Sequence, residues 1–190
     1  SNHWYRNDGG DPPVWVGYAL FSDFDFSTSL AVGDVDRDGD PDVVVGTTDT
    51  PNRLYRTVPG NPPTWLRTDL TADLHATWSV VLADADLDGD LDLLAGNLGQ
   101  VNRFYTNEGG SPIVWNPDDI GTATDDTRVL AVADMDLDGD PDLIVGNQGQ
   151  QNRLVFQHPS DTILDLTDDA HNTYGLVVGD VDGDGDPEVM

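Results

Sequence analysis

Four short acidic runs carry the residues of this sequence that are best suited to chemistry. Each run has acidic residues at positions 1, 3, 5, 7 and 9 and a glycine at position 6, over residues 34–42, 84–92, 134–142 and 180–188. Like charges this close together repel one another strongly unless a counter-charge lies among them. A hard divalent cation supplies that charge, and Ca²⁺, which takes about 6–8 oxygen ligands in flexible geometry, fits best. The runs therefore predict about four calcium ions per chain.

Each position of a run has a distinct expected role. Positions 1, 3, 5 and 9 offer side-chain carboxylates, position 7 offers a backbone carbonyl, and glycine at position 6 permits the sharp bend. The predicted metal-binding residues are Asp34, Asp36, Asp38, Asp40, Asp42, Asp84, Asp86, Asp88, Asp90, Asp92, Asp134, Asp136, Asp138, Asp140, Asp142, Asp180, Asp182, Asp184, Asp186 and Glu188.

Two other interpretations of the acidic runs are weaker. An EF-hand loop begins in a similar way, but it needs a glutamate at position 12 and a helix on each side. Position 12 is Val45, Ala95 or Val145 here, and the flanking sequences are strand-like. A solvated acidic turn is the simpler alternative, but four copies with glycine at the same place argue against it.

The runs belong to a longer internal repeat. The first residues of the first three runs stand 50 residues apart, and Asp180 follows 46 residues after Asp134. A segment that reads Asn-Arg-Leu-Tyr at residues 52–55 recurs at the same spacing. Each unit contains four short strand patterns, which we label A to D, and no helix. Four-stranded sheets at this period predict an all-β fold, a β-propeller of four-stranded antiparallel blades with a calcium loop in each A–B hairpin.

The predicted blades divide a single repeat domain over residues 1–190. Residues 2–18 form strands C and D of a split blade, and residues 175–190 form strands A and B of one. Three whole blades cover residues 29–69, 79–117 and 129–167. The two partial blades can pair within the chain, which closes a four-bladed disc, or between two copies, which closes an eight-bladed ring.

Composition restricts the classes of partner. The formal net charge is −28, there is no lysine and no cysteine, and the sequence has no run of 18 apolar residues. Four bound calcium ions would leave the chain strongly negative, so we expect neither nucleic acid nor membrane insertion. The absence of cysteine excludes a disulfide framework and thiolate zinc sites.

The repeat resembles a known family. The segment of residues 33–46, Gly-Asp-Val-Asp-Arg-Asp-Gly-Asp-Pro-Asp-Val-Val-Val-Gly, followed by Asn-Arg-Leu-Tyr-Arg at 52–56, is similar to the FG-GAP/VCBS repeat. That resemblance implies a calcium-binding propeller like those of integrin α chains and secreted bacterial surface proteins. It implies an extracellular or cell-surface location, a role in adhesion, recognition or scaffolding, and structural calcium. Because rings of this family commonly have seven or eight blades, a homodimer that closes an eight-bladed ring is the expected assembly.

A ligand is expected on the rim opposite the calcium loops. The D–A loops of that rim, residues 20–28, 70–78, 120–128 and 168–174, differ most between the units. They place Trp78, Arg128 and Tyr174 at equivalent positions, and such residues suit recognition of a protein or a glycan. The alternative is that these side chains only plug a central channel.

An enzyme is not expected. The four histidines show no metal-ligand spacing, and there is neither a Gly-x-Ser-x-Gly elbow nor a phosphate-binding glycine loop. Carboxylate pairs of the kind a glycosidase uses are plentiful, but nearly all belong to the repeated runs. The remaining alternative is a lectin-like module, or a hydrolase- or lyase-associated propeller, with a carbohydrate site at the channel mouth.

Overall fold

The chain is built from short strands. A computed structural model describes residues 2–20, 26–156 and 162–190. Within these residues sixteen strands are present and no helix, so none of them forms a helix that could cross a membrane. The strands are β1 (His3–Asn7), β2 (Trp15–Ala19), β3 (Phe26–Gly33), β4 (Asp42–Thr48), β5 (Arg53–Val58), β6 (Thr64–Asp69), β7 (Thr77–Ala83), β8 (Asp92–Asn97), β9 (Asn102–Asn107), β10 (Trp115–Ile120), β11 (Thr127–Ala133), β12 (Asp142–Asn147), β13 (Arg153–Phe156), β14 (Thr162–Asp165), β15 (Val178–Gly179) and β16 (Glu188–Val189).

These strands form five antiparallel sheets. Three sheets have four strands in sequence order, β3 to β6, β7 to β10 and β11 to β14. Two sheets have two strands each, β1 with β2 and β15 with β16. Each four-stranded sheet is a meander of neighbouring hairpins, as in a propeller blade. The prediction of an all-β chain of four-stranded antiparallel sheets is therefore confirmed.

The core lies between the faces of successive sheets. Val44 and Leu54 of the first four-stranded sheet pack in one cluster with Val80, Leu93 and Tyr105 of the second. A further cluster joins the second sheet to the third in the same way. Because the second sheet is covered on both faces, every residue of its strand β8 is buried. Every residue of β12 is buried as well. This packing explains the continuous apolar runs in the sequence, which do not alternate.

A buried chain of polar side chains links the sheets at the end opposite the acidic runs. Asn102 accepts a hydrogen bond from the backbone N–H of Asn97 (2.8 Å) and donates one to the Thr127 hydroxyl of the next sheet (3.0 Å). The Thr127 hydroxyl donates in turn to Asn147 Oδ1 (2.9 Å). The same arrangement recurs one repeat earlier, where Asn52 donates to Thr77 (3.1 Å). The asparagine of the Asn-Arg-Leu-Tyr segment thus holds one sheet to the next.

The arginine of that segment forms ion pairs with the neighbouring strand and with a D–A loop. Arg53 Nη1 lies 2.6 Å from Asp69 Oδ1 on strand β6, and Arg103 contacts Asp119 of β10 in the same way. Arg103 also lies 3.4 Å from Asp73, in the loop before β7. The repeated arginines therefore have a structural ion-pairing role.

The two partial blades are separate sheets in this structure. Among the described residues, β1 and β2 pair only with each other, as do β15 and β16, so the chain does not close into a four-bladed disc. One consequence is visible on β3, where Leu30 is 65% exposed. Its counterparts Val80 and Leu130, which the preceding sheet covers, are each 5% exposed. The partial blade of β1 and β2 covers Val45 and Tyr55 on this face with Trp4, but it leaves the β3 part of the face uncovered.

The eight-bladed ring of two copies stays a prediction. In such a ring, strands A and B of one copy would cover Leu30 and pair with β1 of the other. Light scattering on the calcium-loaded chain is expected to give twice the chain mass of 20.5 kDa. A single species at 20.5 kDa contradicts the ring, and so does a series of open-ended oligomers.

Candidate metal centre

Each acidic run forms the turn between the first two strands of its sheet. The runs that start at Asp34, Asp84 and Asp134 follow β3, β7 and β11 directly, and the fourth lies between β15 and β16. All four turns need left-handed backbone at two places. Position 6 is always glycine, with φ between 90° and 102°. Position 4 is left-handed as well, with φ of 57° at Arg37, 61° at Leu87 and Leu137, and 81° at Gly183.

The left-handed position 4 explains a difference in the fourth run. Gly183 stands at this position, where the other three runs carry Arg37, Leu87 and Leu137. The structure shows that glycine suits this position, because only glycine adopts positive φ without steric cost. The side chains at position 4 of the other runs are tolerated despite that cost.

The turns bring three carboxylates of each run together. In every run one oxygen atom from each of positions 1, 3 and 9 lies within 4.8 Å of the other two. The four groups are Asp34, Asp36 and Asp42; Asp84, Asp86 and Asp92; Asp134, Asp136 and Asp142; and Asp180, Asp182 and Glu188. The side chains at positions 5 and 7 lie outside these groups. Position 7 was expected to offer its backbone carbonyl rather than its carboxylate.

The carboxylate at position 1 organises the turn. Asp34 accepts hydrogen bonds from the backbone N–H groups of Asp38 (3.1 Å) and Gly39 (2.9 Å). Asp134 accepts the corresponding bonds from Asp138 (3.1 Å) and Gly139 (3.0 Å). These bonds curl the run around its first residue, so the carboxylates at positions 3 and 9 lie close to the one at position 1.

The carboxylate at position 9 joins the turn to the third strand. Asp42 is buried and accepts hydrogen bonds from the N–H groups of Val35 (3.2 Å) and Thr57 (2.8 Å). Asp92 does the same with Ala85 (2.9 Å) and Asn107 (2.8 Å). This second role is not visible in the sequence, because its donors are backbone N–H groups, which every residue type except proline provides.

Burial makes the charge at position 9 costly. It raises the pKa of Asp42 and of Asp92 above the ordinary value, although the backbone donors act in the opposite direction. A raised pKa means that the ionised carboxylate is less favourable in the fold than in water. A cation held at the same carboxylate offsets this cost.

The fourth run reaches the same arrangement with a longer side chain. Glu188 Oε2 accepts a hydrogen bond from the N–H of Val181 (2.7 Å), as position 9 does elsewhere. Its carboxylate lies in the same group as those of Asp180 and Asp182. Glu188 therefore reaches the shared space. It lacks the third-strand donor that Thr57 and Asn107 provide, because its sheet has only two strands.

The chemistry of these groups fits calcium. All the converging ligand atoms are hard oxygen atoms. Ca²⁺ and Mg²⁺ prefer such ligands, whereas softer transition metals prefer nitrogen or sulfur ligands. The loops are irregular and partly solvent-exposed, so they suit the flexible coordination of Ca²⁺ better than the strict octahedron of Mg²⁺. The three carboxylates would hold the ion, and backbone carbonyl groups of the same turn would supply further oxygen ligands.

One loop has a basic neighbour that the sequence analysis missed. Arg56 of β5 places its Nη1 atom 3.1 Å from Asp36 Oδ2, at position 3 of the first run. A second arginine, Arg37, reaches from the first run to Asp90 of the second, with Nε 2.5 Å from Oδ1. Asp90 stands at position 7, outside the three-carboxylate group. The signal in the sequence was the residue that follows this four-residue segment, which is arginine in two of the four units, Arg6 and Arg56.

The predicted ligand residues lie at the far end of the first strands. Residues 78 and 128 each stand at a break in strand pairing, between Thr77 and Ser79 in β7 and between Thr127 and Val129 in β11. Such a bulge turns a side chain out of the regular pleat. The Arg128 guanidinium carbon lies 4.0 Å from the centroid of the Trp78 ring, and Arg128 Nε donates to Gln148 Oε1 (2.7 Å).

Tyr174 does not join this pair. It is exposed and lines a separate open cavity of about 550 Å³ beside Thr167 and Met190. Thr28, at the equivalent position of the first sheet, donates to the carbonyls of Gly46 (3.0 Å) and Thr77 (2.6 Å) and so has a structural role. Most of the D–A loop of residues 20–28 lies outside the described residues, as does His158.

Comparison with known protein families gives two matches. The FG-GAP-like repeat matches residues 84–145 and 134–190, which together make up more than half of the chain. The FG-GAP repeat matches residues 26–55. Each matched segment contains at least one acidic run with a strand on both sides of it. A search of curated proteins finds no match.

Proposed function

The chain belongs to the FG-GAP repeat family, and from this premise we propose that it is a calcium-binding β-propeller module that acts outside the cell in adhesion, recognition or scaffolding. The four groups of converging carboxylates support the calcium part of this proposal. The repeated meander sheets support the propeller part. The extracellular location follows from how repeats of this family are typically used.

In this proposal calcium has a structural role and takes part in no reaction. The carboxylate at position 9 links the acidic turn to the third strand, because Asp42 accepts hydrogen bonds from the N–H of Val35 in the turn and from the N–H of Thr57 on β5. An ion held there would stiffen the first three strands of its sheet together. Four equivalent sites, one in each run, are typical of a structural role. A catalytic centre usually occurs once in a repeat protein, at residues that differ from the repeat pattern.

We place the ligand-binding surface on the rim that carries Trp78 and Arg128. Trp78 is the second residue of β7, and the second acidic run follows the end of β7, so about 20 Å of strand separates them. The observation that carries this proposal is the Trp78–Arg128 stack at 4.0 Å, in which equivalent residues of neighbouring repeats meet. Trp78 keeps 37% of its surface exposed, and a cation over its ring holds the ring in place.

A carbohydrate is the second candidate ligand. One face of the indole ring carries the arginine, and the exposed part of the ring is apolar. The C–H face of a sugar ring packs well on such a surface through many small dispersion contacts. The guanidinium nearby offers several N–H donors to sugar hydroxyls or carboxylates. A lectin-like module, or an accessory propeller of a hydrolase or lyase, would use this arrangement.

A glycan array with calcium present tests the carbohydrate candidate. If a glycan binds, the Trp78→Ala variant is expected to lose at least about tenfold in affinity for it, as truncation of a central aromatic anchor commonly does. The Trp15→Ala variant is the matched control, because Trp15 is also exposed but lies beside the turn between β1 and β2. An array without any binding contradicts the carbohydrate candidate and leaves a protein ligand.

The position of the surface is tested with the same glycan. Asp88→Ala alters the second acidic run and is expected to leave binding unchanged while the fold is intact. An equal loss of binding in Asp88→Ala and Trp78→Ala, with intact folds, would move the ligand to the calcium rim.

A further inference from the structure

The first acidic run differs from the next two in one charged contact. Arg56 projects from β5 to Asp36, and the two side chains approach to 3.1 Å. The corresponding positions of β9 and β13 hold Thr106 and Phe156. Neither side chain carries a charge. The three runs have the same acidic residues. The first run also carries Arg37 at position 4, where the other two have leucine, but the Arg37 side chain pairs with Asp90 of the second run. Arg56 is therefore the basic side chain that pairs with the position-3 carboxylate.

The ion pair is also shielded from solvent. The side chain of Asp36 is 14% exposed and that of Arg56 is 21% exposed. Asp86 and Asp136, the counterparts of Asp36, are exposed. Arg56 therefore covers the carboxylate as well as pairing with it. Screening by water and salt is weaker for a covered pair, so its charge has a larger effect than that of an arginine at the open surface.

We propose that Arg56 lowers the calcium affinity of the first run, and so makes this site weaker than it would be with an uncharged neighbour. The inference rests on the proposed calcium function. Asp36 belongs to the three-carboxylate group, so an ion there shares this carboxylate with a guanidinium. Two cations at one carboxylate repel each other, and the carboxylate charge available to the ion is partly neutralised.

Arg37 does not have the same effect on the second run. It pairs with Asp90, whose side chain lies outside the three converging carboxylates, and it is more exposed than Arg56. Its other contact is a bond from Nη2 to the Asp88 carbonyl at 3.3 Å. The proposal therefore concerns the first run specifically. The second run serves as the host for a transplanted arginine.

The test measures calcium binding at each run separately. The glycine at position 6 of each run donates its N–H to the carboxylate of position 1, at 2.9 Å for Gly39, 3.1 Å for Gly89 and 3.0 Å for Gly139. Their amide signals in ¹⁵N-resolved NMR spectra should each report on their own site during a titration with calcium chloride. Arg56→Gln is compared with the wild-type chain, with Arg56→Lys, which keeps the charge, and with Thr106→Arg, which adds it to the second run.

Arg56→Gln is expected to raise the affinity reported by Gly39 by about tenfold and to leave that of Gly139 unchanged. Arg56→Lys is expected to stay near the wild type. Thr106→Arg is expected to lower the affinity reported by Gly89, and it tests the proposal independently if Arg56→Gln fails to fold. Unchanged or weaker calcium binding reported by Gly39 in Arg56→Gln overturns this inference but leaves the proposed calcium function standing. Absence of calcium binding at all the glycines overturns the inference together with the proposed function.

Discussion

Removal of calcium is expected to lower the melting temperature of this chain by about 10–20 °C. At a tenfold excess of calcium over the dissociation constant, each site stabilises the fold by about 1.4 kcal/mol. Four independent sites then contribute about 5–6 kcal/mol, and for a domain of this size each kcal/mol shifts the melting temperature by about 2–4 °C. The four sites that contribute this free energy are the carboxylate groups at the turns between the first and second strands of each sheet.

Thermal melts followed by circular dichroism, in millimolar calcium and in chelator, measure this shift. The structural reason for a large effect is the burial of Asp42 and Asp92. The donors of the hydrogen bonds cited for these two carboxylates are uncharged backbone N–H groups, so a bound cation would balance their charges. Magnesium at the same concentration is the control for ionic strength and is expected to restore little of the loss. Superimposable melts in calcium and chelator would contradict a structural role for the ion.

Replacement of Asn102 by alanine is expected to destabilise the calcium-loaded chain by about 2–4 kcal/mol. Asn102 satisfies the N–H of Asn97 at 2.8 Å and bonds the Thr127 hydroxyl at 3.0 Å. Asn97 and Thr127 are fully buried, so water cannot replace the lost side chain without entering the core. An unsatisfied buried donor costs about 1–3 kcal/mol, and the link between two sheets is lost as well.

The repeat itself provides a matched control for this variant. Asn2 occupies the same position in the first, two-stranded sheet and donates to Ser27 Oγ at 2.9 Å in an exposed setting. Asn2→Ala is expected to cost less than about 1 kcal/mol, because water can take over this bond. Chemical denaturation gives both free energies of unfolding. Equal effects of the two variants would show that the buried network contributes nothing beyond an ordinary surface bond.

Much of the fold was predictable because the repeat reduces it to one unit seen several times. The acidic runs marked the turns, and the apolar stretches beside them marked strands covered on both faces. The first whole blade was predicted to begin at residue 29, and its first strand β3 covers Phe26–Gly33. The strand begins earlier because a bulge near residue 28 lets residues 26 and 27 pair with residues 48 and 47. Beyond Gly33 the N–H of Val35 donates to the Asp42 carboxylate and not to a neighbouring strand.

The remaining features depend on contacts between repeats, which the composition of a single repeat does not reveal. Arg56 and Asp36 are 20 residues apart and meet only because β5 lies next to the strand that follows the turn. Trp78 and Arg128 meet because β7 and β11 belong to neighbouring sheets that pack together. The role of Asn102 was hidden for the same reason, since its partner Thr127 lies in the next sheet. The motif marked these residues, but only the packing showed what they contact.

The account depends most directly on the number of calcium ions that the chain binds. Isothermal titration of the metal-free chain with calcium chloride measures that number. Four ions per chain are predicted, one for each carboxylate group, and the Asp84→Asn variant is expected to bind three, because it removes a position-1 charge from the second run. A wild-type chain that binds no calcium, or an Asp84→Asn variant that binds as many ions as the wild type, would contradict the assignment of the acidic runs as calcium sites.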